Sequence, residues 1–215
     1  RQPHEFKHPY GFDQPLDNWA ELVVATGFFD RAGITLLSDV HENTSYAPLK
    51  RALVKIGMEE TFHLRHGEVW MRRLAKAGGE AREFVQRAVD WMFPMTIEWF
   101  GLPDDMKRHS GQLDFKLKGL TNDQLRQVWM ASTVPLCEEL GLDAPAHWDE
   151  DKSEYVLDYP FPCQYDAVEK HWAFDEGEIS WDAVFERWKK RGPMNEIYVE
   201  SVQRSRLDVQ HWLAA

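Results

Sequence analysis

Residues 53–74 read LVKIGMEETFHLRHGEVWMRRL. Steps of three and four residues pick out Leu53, Ile56, Glu60, His63, Gly67, Trp70 and Leu74 as one seam of a helix. The seam is apolar except for Glu60 and His63, which form a Glu-x-x-His pair. A carboxylate in a helix-bundle core costs several kcal/mol unless an opposite charge meets it. A metal ion is one such charge, and a Glu/His pair spaced i, i+3 presents an oxygen and a nitrogen to the same point.

The preceding helix has a matching seam of Leu16, Ala20, Val23, Gly27, Asp30, Ile34 and Leu37. Here too one carboxylate, Asp30, interrupts an apolar row. The linker Asn43-Thr44-Ser45 is short, so the two helices are expected to be antiparallel neighbours. Asp30 lies 13 residues before Asn43, and Glu60 and His63 lie 17 and 20 after it. At about 1.5 Å rise per residue the mismatch is roughly 6 to 10 Å, within reach of a modest stagger. Two carboxylates and one imidazole make an oxygen-rich donor set, which suits iron or manganese better than zinc. The metal-free alternative is a buried carboxylate–imidazole pair with a structural role. Glu59 and His66 are the nearest competing ligands; each is expected beside the set or on the surface. Asp208 and His211 spell another acid-x-x-His but fall off the centre of the last helix's seam, and they read as surface residues.

Around these two helices the chain of 215 residues reads as mainly α. The first helix runs from an N-cap at Asp17 to about Glu42, and the second from about Tyr46 to Lys76, stopped by Gly78-Gly79. Thr44 or Ser45 is its expected cap, with Pro48 in its first turn. A third helix spans about Glu80 to Phe100, kinked or divided at Pro94. Residues 106–120 are ambiguous. Thr121 caps a fourth helix ending near Gly141. Residues 142–179 lack helical periodicity, with Tyr155-Val156-Leu157 a possible strand. Ser180 caps a helix to about Arg191, and a last helix begins near Asn195. The expected organisation is a ferritin-like helical bundle over 1–141, then an irregular extension over 142–215 whose two helices pack on the bundle.

A formal charge of −11 argues against binding nucleic acid or an anionic membrane through a general field. No apolar stretch reaches the length of a bilayer span. No signal peptide is visible, and the chain opens at Arg1 without Met, so its natural start is expected further upstream. Cys137 and Cys163 have no metal-ligand spacing and read as free buried thiols of a reducing, cytoplasmic protein. Nothing supports Cys137 as a nucleophile. Ten tryptophans point to core or subunit-interface aromatics. Phosphate-loop, nucleophile-elbow and dinucleotide-binding motifs do not occur.

Several strings resemble a known family. Ser45-Tyr46-Ala47-Pro48, Lys50 through Ile56, Glu59-Glu60-Thr61-Phe62-His63, Leu120-Thr121-Asn122-Asp123-Gln124-Leu125-Arg126-Gln127, Thr133-Val134-Pro135 and Leu140-Gly141-Leu142 are similar to the catalytic subunits of bacterial phenylacetyl-CoA epoxidases. The resemblance runs from about residue 10 to 160. It implies a ferritin-like di-iron oxygenase that activates O2 and epoxidises the aromatic ring of an aryl-CoA thioester in phenylacetate catabolism. It also implies two partners in an oligomeric complex: a separate reductase that delivers NADPH-derived electrons, and a second ferritin-like subunit. Residue by residue, it assigns iron binding to Glu60 and His63 and makes Asp30 a further iron ligand or a close neighbour of the ligands, with Asp30 and Glu60 nearest the chemistry. The family's site also uses an earlier Glu and a first Glu-x-x-His. A missing N-terminal segment, a split gene or a symmetric dimer is expected to supply these. Two other readings stand beside the oxygenase. One is a non-catalytic ferritin-like subunit or iron-binding dimer; the other is a metal-free helical acyl-CoA- or protein-binding module.

Overall fold

The computed structural model describes residues 8–107 and 111–214, with the side chains of residues 206, 208, 211 and 214 excepted. The Asp208–His211 pair therefore lies outside the described side chains. Six α-helices occur among the described residues: α1 (Trp19–Asn43), α2 (Ala47–Ala77), α3 (Gly79–Trp99), α4 (Asn122–Leu140), α5 (Trp181–Lys190) and α6 (Met194–Ala214). The protein is mainly α and consistent with a ferritin-like bundle. Two short antiparallel pairs complete it, β1 (Ala146–Asp149) with β2 (Glu154–Leu157) and β3 (Tyr165–Asp166) with β4 (His171–Trp172). No described helix is long and apolar enough to cross a membrane.

Local chemistry accounts for the helix ends. Thr121 and Gln124 form a reciprocal capping box at the start of α4, and Gly141 closes that helix in the left-handed conformation with φ 64°. Ser180 caps α5 through the Ala183 N–H. Gly78, φ 71°, is the single residue between α2 and α3. The first cap differs from the expected one by one residue. Asn18 accepts from the Glu21 N–H, while the Asp17 N–H donates back to the Glu21 carboxylate. No side chain caps α2, whose N-cap is Tyr46; the Thr44 hydroxyl instead accepts from the Tyr46 N–H. Pro94 does not divide α3, which runs through it unbroken.

The chain separates into two compact units. One is Leu16–Phe161; the other joins the residues up to Pro15 with those from Pro162 onward. In the first, Phe28 of α1, Phe93 of α3 and Trp129 of α4 meet edge to face, and all three are fully buried. The Trp129 indole N–H donates to the Phe28 carbonyl, 3.1 Å away. Val23, Val24, Val85, Met92 and Ile97 are fully buried as well. Asp39, buried near the end of α1, accepts from the backbone N–H groups of Gly119 and Leu120 and so fastens the segment before α4. The β1–β2 hairpin belongs to this unit, held by Gln127, whose side-chain amide bonds both backbone groups of Tyr155. In the second unit, buried Asp13 accepts from Arg191 at 3.0 Å and from the Gly192 N–H at 3.1 Å.

Candidate metal centre

Helices α1 and α2 are antiparallel, and glycines set their spacing. A Cβ at Gly67 would lie 2.6 Å from the Gly27 nitrogen and from the Thr26 hydroxyl, and one at Gly27 would lie 2.6 Å from Met71 Sδ. The helices thus touch backbone to backbone at Gly27 and Gly67. Asp30 is one turn beyond Gly27 on α1, and His63 is one turn before Gly67 on α2. With the glycines opposed, Asp30 and His63 are opposed as well. The mismatch reckoned from Asn43 shrinks to roughly 0 to 4.5 Å, because the turn between the helices is centred at residue 45 rather than 43.

The structure brings Asp30, Glu60 and His63 together. One potential ligand atom from each lies within 4.8 Å of the others. His63 Nδ1 is 3.9 Å from Asp30 Oδ2 and 3.8 Å from Glu60 Oε2. Two donors each about 2.1 Å from one metal are at most about 4.2 Å apart, so both imidazole–carboxylate distances fit a shared ion. Oxygen, oxygen and nitrogen are the donors a hard or borderline cation such as iron takes. Burial, chiefly, pushes the Asp30 carboxyl up from 3.8 to about 6; the neighbouring Glu60 charge adds to the rise and His63 opposes it.

The seam is less buried than its pattern predicts. Side-chain exposure is 23% for Asp30 and Glu60 but 57% for His63. On α2 the buried residues are Leu53, Gly67, Met71 and Ala75, whereas Ile56 is 36% exposed. The reason is positional. Most of α2's burial falls near its C-terminal end, and toward its N-terminal end only Leu53 is fully covered. Glu59 is exposed, near Lys55 and outside the cluster. His66 turns to the rings of Trp19 and Trp70. Burial pushes the Cys137 thiol up to about 12, so it is an inert thiol. Both cysteines are buried and free, as their spacing predicts.

Two features near the centre are not legible in the sequence pattern. A cavity of about 350 Å³ lies between α1 and α2, with Ile34, Leu37, Leu53, Val54 and Met58 on its apolar side and Glu60 in its wall. Ile34, Leu37 and Leu53 stand out as seam residues, but nothing in their spacing says that the seams part there. Second, Arg31 of α1 pairs with Glu68 of α2; Glu68 also binds Arg72 at 3.1 Å, and Arg72 grips Glu139 of α4 with two bonds of 2.9 and 3.0 Å. Of this row only the i, i+4 pair Glu68–Arg72 has a local signal.

Acidic and imidazole donors that converge from two adjacent antiparallel helices of a bundle form the kind of donor set that carboxylate-type metal-binding bundles use. The sequence comparisons narrow it. Residues 1–178 match the family described as phenylacetic acid catabolic protein, and the chain belongs to that family. It is 31% identical over 195 residues to one of the subunits of the 1,2-phenylacetyl-CoA epoxidase of Escherichia coli (strain K12). That alignment covers 90% of this chain and 58% of the relative, so the chain spans somewhat over half the relative's length.

Proposed function

We propose that this chain is an oxygenase subunit of phenylacetate catabolism in which Asp30, Glu60 and His63 hold iron for the epoxidation of an aryl-CoA ring, phenylacetyl-CoA first among candidates. The observation that carries the reading is the convergence of those three donors within 4.8 Å, in a chain 31% identical to an epoxidase subunit. Iron held there, as one half of a di-iron centre, supplies O2 activation with NADPH-derived electrons delivered by a separate reductase. The other donors come from a further segment, a partner subunit or a second copy.

The remaining chemistry belongs to the chain's own side chains. His63 presents Nδ1 toward both acids, and as a neutral imidazole it binds metal without adding charge. Glu60 belongs both to the cluster and to the cavity wall, so a group seated in the cavity lies against the metal-binding carboxylate. The apolar lining from Ile34, Leu37 and Leu53 suits an aromatic ring. Asp30, with its carboxyl at about 6, binds metal when ionised and holds a proton at its oxygen when it is not. The exposed side of His63 requires cover before the site is dry, and Val54, Met58 and Phe62, all exposed on the same helix, are an apolar surface for a second ferritin-like subunit. Such a complex is an oligomer of the cytoplasm.

Anaerobic titration with Fe(II) tests the assignment. The wild-type chain is expected to bind iron, and His63→Ala to weaken binding by about 100-fold or more, beyond the loss usual for a group that only supports a ligand. Equal uptake by both proteins refutes it. Combined with the reductase, the second ferritin-like protein and O2, the loaded chain is expected to turn over phenylacetyl-CoA. The exposure of His63 favours one second reading, a non-catalytic ferritin-like subunit, whose signature is iron without turnover.

A further inference from the structure

The donors of the candidate centre come from two helices whose mutual register no covalent link near the site defines. Sliding one helix past the other by a single turn moves a ligand about 5.4 Å, whereas metal coordination tolerates errors of only about 0.2 Å. Something must hold α1 and α2 in step. On one side of the site the apolar contact contributes little, because Val54, Ile56, Met58 and Phe62 are exposed; on the other, the Gly27–Gly67 contact brings the backbones together. The acids work against it, since Asp30 and Glu60 carry like charges that face each other across the helix boundary.

Beside the glycine contact stands a device of the right kind. The Arg31 side chain folds back along α1, donating from Nε to the Gly27 carbonyl at 3.2 Å, and reaches across to Glu68, the neighbour of Gly67. Arg31 is 8% exposed as a residue and Glu68 is half-buried. The second oxygen of Glu68 takes Arg72, and Arg72 closes on Glu139 of α4 in a fork of two bonds. Charges alternate along this row as positive, negative, positive, negative. Shifting α2 by one turn would strand the Arg31 guanidinium in the interior without its acid, and an unpaired buried charge is strongly destabilising. Registry is the best-attested use of such buried pairs.

We propose that Arg31 and Glu68, braced by Arg72 and Glu139, are positioning residues that set the α1–α2 register and thereby hold Asp30, Glu60 and His63 at metal-binding separation. The inference rests on the metal reading given above for its functional meaning, and its test separates the two. Gly33 and Gly57 serve as labelling positions, because a Cβ at either meets nothing within 4 Å. Spin labels on Gly33→Cys and Gly57→Cys report the interhelix distance without metal, and Co(II) titration with its ligand-field spectrum reports the site. Glu68→Gln is expected to broaden or shift the label distance in metal-free protein, to weaken Co(II) binding about 10- to 100-fold and to alter the Co(II) bands. The control Asp39→Asn loosens the same helix at the Gly119–Leu120 anchor; it is expected to leave the Co(II) spectrum and affinity within about threefold of wild type. Arg31→Lys, which keeps the charge but loses the Nε bond to the Gly27 carbonyl, is expected to fall between wild type and Glu68→Gln. An unchanged label distance in Glu68→Gln overturns the proposal, as does an equal loss of Co(II) in Asp39→Asn. Wild-type protein that takes up no Co(II) sinks the metal reading alone, because the label distance still decides the register.

Discussion

Helices α1 and α2 run side by side, yet they are buried in opposite degrees. In α1, Val23, Val24, Phe28 and Phe29 are at most 4% exposed, and α3 and α4, as well as α2, pack against the helix. In α2, Val54 is 54%, Met58 59% and Phe62 74% exposed. The candidate centre lies on the border between them. That position explains its mixed character. Asp30, rooted in the covered helix, is desolvated enough for its carboxyl to rise to about 6, while His63, on the open helix, still faces solvent. A site of this kind is shaped from one side and open to further ligands from the other.

Core truncation in the covered region should show the contrast most strongly. Trp129→Ala removes the ring between Phe28 and Phe93 together with the bond to the Phe28 carbonyl. A loss of about 3 to 5 kcal/mol is expected in denaturant unfolding. A loss under about 1 kcal/mol would mean that the buried side of α1 is not the core it looks to be.

Next in size is the line where the two helices meet. Gly67→Ala places a methyl 2.6 Å from the Gly27 nitrogen. Overpacking is expected to cost about 1 to 3 kcal/mol, outweighing the roughly 1 kcal/mol that alanine gains in helix propensity. Metal binding should weaken with it, because the helices are pushed apart beside His63. A stabilised variant in a melting experiment would show that the backbones do not touch there.

The border itself is open to a pH test. The Asp30 carboxyl is raised in the folded protein, from 3.8 to about 6. Between those values the folded state binds more protons than the unfolded state, so stability falls as pH rises from about 4 to about 6. Screening by solvent on the open side limits the effect to about 1 to 2 kcal/mol. Asp30→Asn should flatten this part of the stability profile. Metal affinity runs the other way, climbing through about pH 6 as the proton leaves. Stability that is level from about pH 4 to about pH 6 in wild type would contradict the desolvation of Asp30.

The smallest effect is expected on the open face of α2. Phe62→Ser should change the stability of the chain by less than about 0.5 kcal/mol, because the ring touches little. It should still weaken association with a second ferritin-like protein in sedimentation or pull-down with purified components. A large loss of stability in the chain alone would mean that the ring is covered after all.

Much of this architecture is readable from local pattern. The seams of α1 and α2 single out Asp30, Glu60 and His63 without coordinates, because a polar residue in an apolar row is conspicuous at helical period. Thr121 with Gln124, Ser180 and the glycines at 78 and 141 declare their helix ends through short-range bonding and backbone preference. The weaker readings are also local. Asp17 and Asn18 are both good caps, and only the bond to Glu21 decides between them. Pro94 looks like a break, yet α3 runs on through it, with Met92, Phe93, Met95 and Ile97 all buried around it. β3 and β4, of two residues each, are too short for an alternating pattern to register.

What the chain alone determined is which residues want burial, where each helix starts and stops, and that three metal-type donors interrupt two neighbouring seams. Only the tertiary structure decided that Gly27 meets Gly67, that Arg31 finds Glu68, that a cavity opens beside Glu60 and that His63 remains at the surface. The physical reason is range. Periodicity and capping act over three or four residues along one helix. How far two helices slide before they lock, and how much of each face is covered, depends on contacts such as Arg31–Glu68, between residues 37 positions apart; no local pattern encodes them.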